Sequence, residues 1–233
     1  MIYKKHFFLN RKKRKYSSCS KCDGQEDGDN LDPRIVRKVT HPLYPFFDDE
    51  GDEQESSGIE VNDNHILFYT NVNKSSALML NKSIQQLNKE LLINSIILNN
   101  PVAHIYLHIN SDGGNLFDGM SCVDYIRNSK LQIHSIVDGS AASAATMMSV
   151  VAKHRAINRH GFMLIHQLSG GIMGSFEELK DDWENAKILM DTMREIYKEH
   201  TKIPKKKLDE ILQRDIWFDA KQCLAYGLVD EIL

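Results

Sequence analysis

The chain runs to 233 residues, 42% of them hydrophobic, with a formal net charge of −3. This length suits one domain of ordinary size plus an extra segment, and the apolar fraction is enough for a substantial core. So balanced a charge gives no overall attraction to nucleic acid. No apolar run is long enough to span a bilayer, and the basic N-terminus lacks the apolar stretch of a signal peptide. The expectation is a soluble intracellular protein, of the cytoplasm or of an organelle such as a plastid or the mitochondrial matrix, with no membrane partner.

Residues 1–58 differ in character from everything after them. Lys4, Lys5 and residues 11–15 form a basic head, and Asp48, Asp49, Glu50, Asp52, Glu53 and Glu55 form an acidic block. Such sequence buries too little apolar surface to offset the entropy of ordering, so it reads as a flexible charged extension. The basic run suits nucleic acid, an import machinery or an acidic partner; a solvated tail is the simpler reading, and no nucleic-acid partner is assigned. The apolar island Leu43-Tyr44-Pro45-Phe46-Phe47 fits docking on the body or on a neighbouring subunit. Cys19 and Cys22 make a lone CxxC that, even with His41, falls short of a four-ligand zinc site, so no metal is expected.

The ordered body begins near Ile59. Residues 65–69 read as a strand, 74–94 as a helix, and 105–109 as a short apolar strand of a covered sheet. A helix to about 128, a strand at 132–137 and a small-residue helix at 142–152 follow, then strands at 155–157 and 162–165. Ser175 and Glu178 have capping-box spacing at the head of the longest helix, to His200, with Trp183, Ala186, Ile188, Leu189, Met193 and Ile196 as its apolar residues. Pro204 opens another helix to about 213, and Asp219 caps a last one ending near Gly227. Alternating strand and helix units predict an α/β body with a late helical arm. Cys122 and Cys223 fall in predicted helices, where small buried thiols are common.

Three stretches end successive predicted strands: Asn110-Ser111-Asp112-Gly113-Gly114, Gly139-Ser140-Ala141-Ala142-Ser143-Ala144 and Ile165-His166-Gln167. A parallel sheet gathers such positions at one edge. Ser143, at the start of a helix among small residues, suits a nucleophile whose oxyanion would meet the Ala144 N–H. Ser140 is its competitor but suits a turn or cap better. His166 has the near-neutral titration of a general base. His160 is a weaker candidate, and His108 sits within a strand. Asp215, before the apolar anchor Ile216-Trp217-Phe218, is the chosen partner of the histidine, with Asp209 and Asp219 as rivals. Gly113 can turn the backbone and offer a second oxyanion N–H. Neither GxGxxG nor GxxxxGKS/T is present, so no phosphate loop or cofactor is expected. Residues 170–174 suit a segment that lines a peptide or a flexible hinge before the longest helix.

From about residue 60 to the C-terminus, these motifs, with Arg214-Asp215 and the ending Tyr226-Gly227-Leu228-Val229-Asp230, resemble the proteolytic subunit of Clp-type (caseinolytic) protease. The resemblance implies the family's spiral β/α fold, shared with crotonases, over 59–233, with a protruding handle helix at about 170–200. It implies a serine endopeptidase with Ser143 as nucleophile, His166 as base, Asp215 as its orienter, and Gly113 and Ala144 as oxyanion donors. It also implies rings of seven identical or homologous subunits, stacked as a tetradecamer, to which an ATPase unfoldase delivers unfolded polypeptide. ATP would be consumed by that partner. Asp112 and Leu168 stand where the family commonly has prolines, and Ala144 where methionine is common. The charged extension replaces a short N-terminal segment at the ring entrance. Alternatives are an inactive structural ring subunit, a crotonase-like acyl-coenzyme A enzyme and a signal-peptide peptidase relative. The intact serine, histidine and aspartate disfavour all three.

Overall fold

This computed structural model describes residues 58–171 and 173–233. The expectations for the charged extension, the CxxC pair with His41 and the 43–47 island fall outside those residues. Fourteen elements follow in chain order: β1 (Ile59–Asn62), β2 (His65–Phe68), α1 (Lys74–Leu98), β3 (Ile105–Ser111), α2 (Leu116–Arg127), β4 (Ile133–Ala142), α3 (Ala144–Val150), β5 (His154–Ile157), β6 (Phe162–Leu164), α4 (Phe176–His200), α5 (Lys205–Leu212), β7 (Trp217–Asp219), α6 (Ala220–Ala225) and β8 (Glu231–Ile232). One mixed sheet takes the order β1-β2-β3-β4-β5-β8, and β6 and β7 branch from β4. The β1–β2 and β6–β7 pairs are antiparallel; the others are parallel. This is the α/β architecture expected from the alternating pattern.

The branch is the main departure. The strand expected at 132–137 continues through Gly139 and Ser140 to Ala142, because β4 changes partner along its length. His134 to Val137 pair with β5, whereas Ser140, Ala141 and Ala142 pair with Phe162, Met163 and Leu164 of β6. Backbone groups that a turn would have left unpaired are thereby satisfied within a buried sheet. The short β1, β7 and β8 escaped the sequence reading, being too brief for alternation to register.

Helices cover the apolar strands Ile105, Leu107 and Ile109, all fully buried. Every residue of α3 is buried, including the polar Thr146 and Ser149, so this helix lies within the core. Gly119 of α2 lets it approach: a Cβ there would lie 2.9 Å from Ala144 Cβ. Asn73 caps α1 by accepting from the N–H groups of Ser75 and Ser76. The expected capping box forms at Ser175 with Glu178, and the expected cap Asp219 forms one too, with Gln222. Of the apolar residues along α4, Met193, Ile196 and Tyr197 near its end are buried, whereas Trp183 and Ile188 are more than 60% exposed. Both predicted helical cysteines are buried, and desolvation pushes each thiol up to about 12. At the C-terminus Arg155 forks onto Asp230, reaches Gly227 O at 2.9 Å and also bonds His200 O, which ties β5 to the ends of α4 and α6.

The opposite face of the sheet carries a row of histidines. Asp138 Oδ2 accepts from Tyr69 Oη at 2.6 Å and pairs with His108 Nδ1 at 2.9 Å, and His108 Nε2 in turn meets His65 Nδ1 at 2.9 Å. His108 thus belongs to a sheet network, as its strand position suggested. Nearby, His134 stacks on His104 at 4.5 Å and meets His154 edge-on at 5.4 Å. Desolvation first, then the neighbouring His104 and His154, hold His134 below its ordinary value, with Glu231 opposing; desolvation also leads the lowering at His200. Between that lowered value and about 6.5, the unfolded chain binds protons that the folded chain refuses, so stability falls as pH drops through this window. The denaturant midpoint is therefore expected to be lower at about pH 5.5 than at about pH 7.5, and His134→Gln to narrow the gap. An unchanged gap in that variant would contradict this assignment.

Candidate active site

The turns after β3, β4 and β6 come together through bonds made between turns. After β3, Gly113 and Gly114 adopt φ of +88° and +148°, a region open to glycine. Val72 N–H donates to Gly113 O at 2.7 Å and Asn115 N–H to Val72 O at 2.8 Å. A Cβ on Gly113 would lie 2.5 Å from Ala142 O, 2.7 Å from Ser143 Cβ and 3.0 Å from Ala144 N. Only a bare backbone fits so close to the next turn.

That next turn holds Ser143 at φ 54°, ψ −122°, a conformation that costs a non-glycine residue about 1–3 kcal/mol. Three hydrogen bonds hold it. Ser143 N–H donates to Leu164 O at 2.8 Å, and Ser143 O accepts from Thr146 N–H at 3.0 Å and from Thr146 Oγ1 at 2.6 Å. The Ser143 Oγ is buried and makes no hydrogen bond among the described residues. Ala144 N–H opens α3, where the first turn has no intrahelical acceptors.

The third turn sets a histidine against a carboxylate. Leu164 of β6 pairs with Trp217 of β7, and the antiparallel register carried two residues further sets His166 opposite Asp215. His166 Nδ1 lies 3.4 Å from Asp215 Oδ1, and the two side chains are 17% and 44% exposed. Gln167 N–H, donating to Leu212 O at 2.8 Å, pins the chain beyond the histidine.

Gly113, Ser143 and Ala144 are therefore in mutual contact, His166 is paired with Asp215, and Leu164 links the two groups. The rivals are otherwise engaged. Ser140 bonds Asn110 from within β4, Asp209 pairs with Arg194 at 3.1 Å, Asp219 caps α6, and His160 sits at an exposed turn. Asp112 is exposed, so its charge is screened by water. Leu168, unlike a proline, supplies an N–H, which reaches Met190 Sδ of α4 at 3.1 Å. The Gly113 N–H donates to Ser111 Oγ at 3.2 Å, whereas Gly114 N–H has no acceptor among the described residues. Sequence reasoning missed Ser111, Thr146 and Tyr197. Thr146, three residues beyond the serine at a helix start, carried a local signal; Tyr197 carried none.

A serine at a strained strand-to-helix turn, bonded through its N–H to the strand that leads to a histidine paired with a carboxylate, is an arrangement that serine hydrolases use. The family model for Clp protease matches residues 60–233, and the chain belongs to that family of serine-type peptidases. Among relatives, an ATP-dependent Clp protease proteolytic subunit 2 of Cutibacterium acnes is 31% identical over 186 residues, 76% of this chain and 85% of its own. An ATP-dependent Clp protease proteolytic subunit of Deinococcus radiodurans is 31% identical over 158 residues, 66% of this chain and 74% of its own.

Gly113→Ala is expected to push the Ser143 turn aside, because its Cβ has no room and its φ is strained. Labelling of the protein by a fluorophosphonate should fall by at least about a hundredfold, the scale of losing an oxyanion donor. Labelling at the wild-type rate would show that the two turns are not in contact.

Proposed function

We propose that the chain is an endopeptidase in which Ser143, His166 and Asp215 act as the catalytic triad. The observation that carries this reading is the β6–β7 register, which pairs His166 with Asp215 two residues beyond the strand that holds Ser143. Ser143 Oγ attacks the scissile carbonyl carbon while its proton passes to the imidazole. Asp215 orients the ring and stabilises the imidazolium. Collapse of the tetrahedral species breaks the C–N bond, and the imidazolium returns the proton to the leaving amine. Water, deprotonated by the same histidine, then hydrolyses the ester.

The Ala144 N–H and the glycine turn stabilise the oxyanion. Gly113 was the donor expected from sequence; since its N–H is shared with Ser111, Gly114 is the unshared donor of that turn. Beyond the substrate, these steps use the protein's own groups and water.

Family membership supports oligomeric rings working with Clp ATPases, and we assign seven subunits to a ring and two stacked rings to the particle. The exposed apolar residues Phe176, Leu179 and Trp183 in the first half of α4 suit the handle contact between rings. An ATP-consuming unfoldase delivers unfolded polypeptide to the enclosed sites. The peptidase domain spans 59–233, preceded by the charged segment. Among the described residues no helix is long and apolar enough to cross a membrane.

The unbonded Ser143 Oγ favours one second reading, a subunit that is latent or structural within a mixed ring. Serine-directed labelling of assembled protein separates the two. The triad reading expects fluorophosphonate incorporation that Ser143→Ala abolishes, and peptidase activity that Asp215→Asn lowers about a hundred- to ten-thousand-fold. No incorporation in a fully assembled particle would favour the structural subunit.

A further inference from the structure

We propose that Tyr197 and Thr146 are positioning residues that aim the Ala144 N–H at the reacting carbonyl oxygen, through a hydroxyl relay ending on the carbonyl of Ser143. The proposal rests on the reading of Ser143 as nucleophile and gives neither residue a contact with substrate.

The relay has one possible direction. Thr146 Oγ1 lies 2.6 Å from Ser143 O and 2.5 Å from Tyr197 Oη, and both Thr146 and Tyr197 are fully buried. A carbonyl oxygen has no proton to give, so at 2.6 Å the threonine hydroxyl must donate to it. That hydroxyl has a single proton, so the phenol must donate to Thr146 Oγ1. The reverse order would press two lone pairs together at Ser143 O and leave the phenolic proton without an acceptor. Burial holds the phenol well above its ordinary value, which keeps the donated proton in place.

Fixing this carbonyl fixes an oxyanion donor. Ser143 C=O and Ala144 N–H belong to one planar trans peptide and point in opposite directions. With the oxygen held toward Thr146, the N–H faces away from it, on the side where the Gly113 turn comes within 3.0 Å of Ala144 N for an added Cβ. The ψ of −122° that sets this plane belongs to a strained residue, so the plane is not fixed by local preference. Donation into Ser143 O also polarises the peptide and strengthens its N–H as a donor. Tyr197 sits in the buried second half of α4, 51 residues from Thr146, so a distant helix sets the aim of the catalytic peptide.

The test compares Tyr197→Phe, Thr146→Val, Thr146→Ser and the Tyr197→Phe/Thr146→Val pair on a short fluorogenic peptide in the assembled particle. Tyr197→Phe is expected to lower kcat about tenfold, less than outright loss of an oxyanion donor, with KM within twofold. Affinity for a peptide aldehyde, whose hemiacetal oxygen occupies the oxyanion position, should fall in parallel, while affinity for the product peptide stays unchanged. Thr146→Ser should keep kcat within about threefold. The double variant should be no slower than Thr146→Val alone, because the relay is already cut there. A pair that only packs α4 would lower the melting temperature and leave kcat and aldehyde affinity within twofold, which would overturn the relay. Additive losses in the double variant would do the same. If Tyr197→Phe does not fold, Thr146→Ser against Thr146→Val gives the same decision. Labelling confined to Ser143 with unchanged Tyr197→Phe kinetics overturns the relay alone; labelling that survives Ser143→Ala overturns the site reading and the relay with it.

Discussion

The 2.8 Å hydrogen bond from Ser143 N–H to Leu164 O is the contact on which the site depends. It exists because β4 abandons β5 after Val137 and takes β6 as its partner. Without that change the serine turn and the histidine turn would leave the sheet at separate places. With it, the last paired residue of β6 also receives the Ser143 backbone N–H. From Leu164, two extended residues lead to His166, and the β7 pairing sets Asp215 across from it.

The serine turn is strained, and the balance of magnitudes explains why it persists. A residue at φ 54° forfeits about 1–3 kcal/mol, and a single intramolecular hydrogen bond returns about 1 kcal/mol net. The three bonds at Ser143 N–H and C=O are therefore of the size required to offset the strain. None of them uses the side chain, so the hydroxyl stays available for chemistry. Burial raises their worth, since a broken bond would leave an unsatisfied group in an apolar surround. In this chain the Thr146 and Tyr197 hydroxyls lie in sequence behind the Ser143 carbonyl, and the proposed relay gives that arrangement a purpose.

How much of this was legible depended on whether the signal was local. The proposed site residues Ser143, His166 and Gly113 stand in short motifs at strand ends, so a local reading singles them out. Asp215 was harder, since Asp209 and Asp219 lie close by and only pairing across β6 and β7 separates the three. The strands β7 and β8 have three and two residues, too few for an alternation to register. Gly139 and Ser140 read as a turn because their composition favours one; tertiary pairing with β6 overrode that preference. Trp183 and Ile188 matched a helical stripe, but periodicity cannot say whether a partner within the same subunit covers it. The contact of Tyr197 with Thr146 has no sequence signature, being a meeting of two hydroxyls from distant elements.

The central claim is that Ser143 and His166 act together at one substrate carbonyl. A peptide chloromethyl ketone tests this directly, because its carbonyl carbon takes the serine oxygen as its chloromethyl carbon alkylates the histidine. Mass mapping of the assembled protein should find the adduct on His166, and the adduct should be lost in Ser143→Ala. Modification of His166 at the same rate in that variant, or of another histidine instead, would contradict the claim.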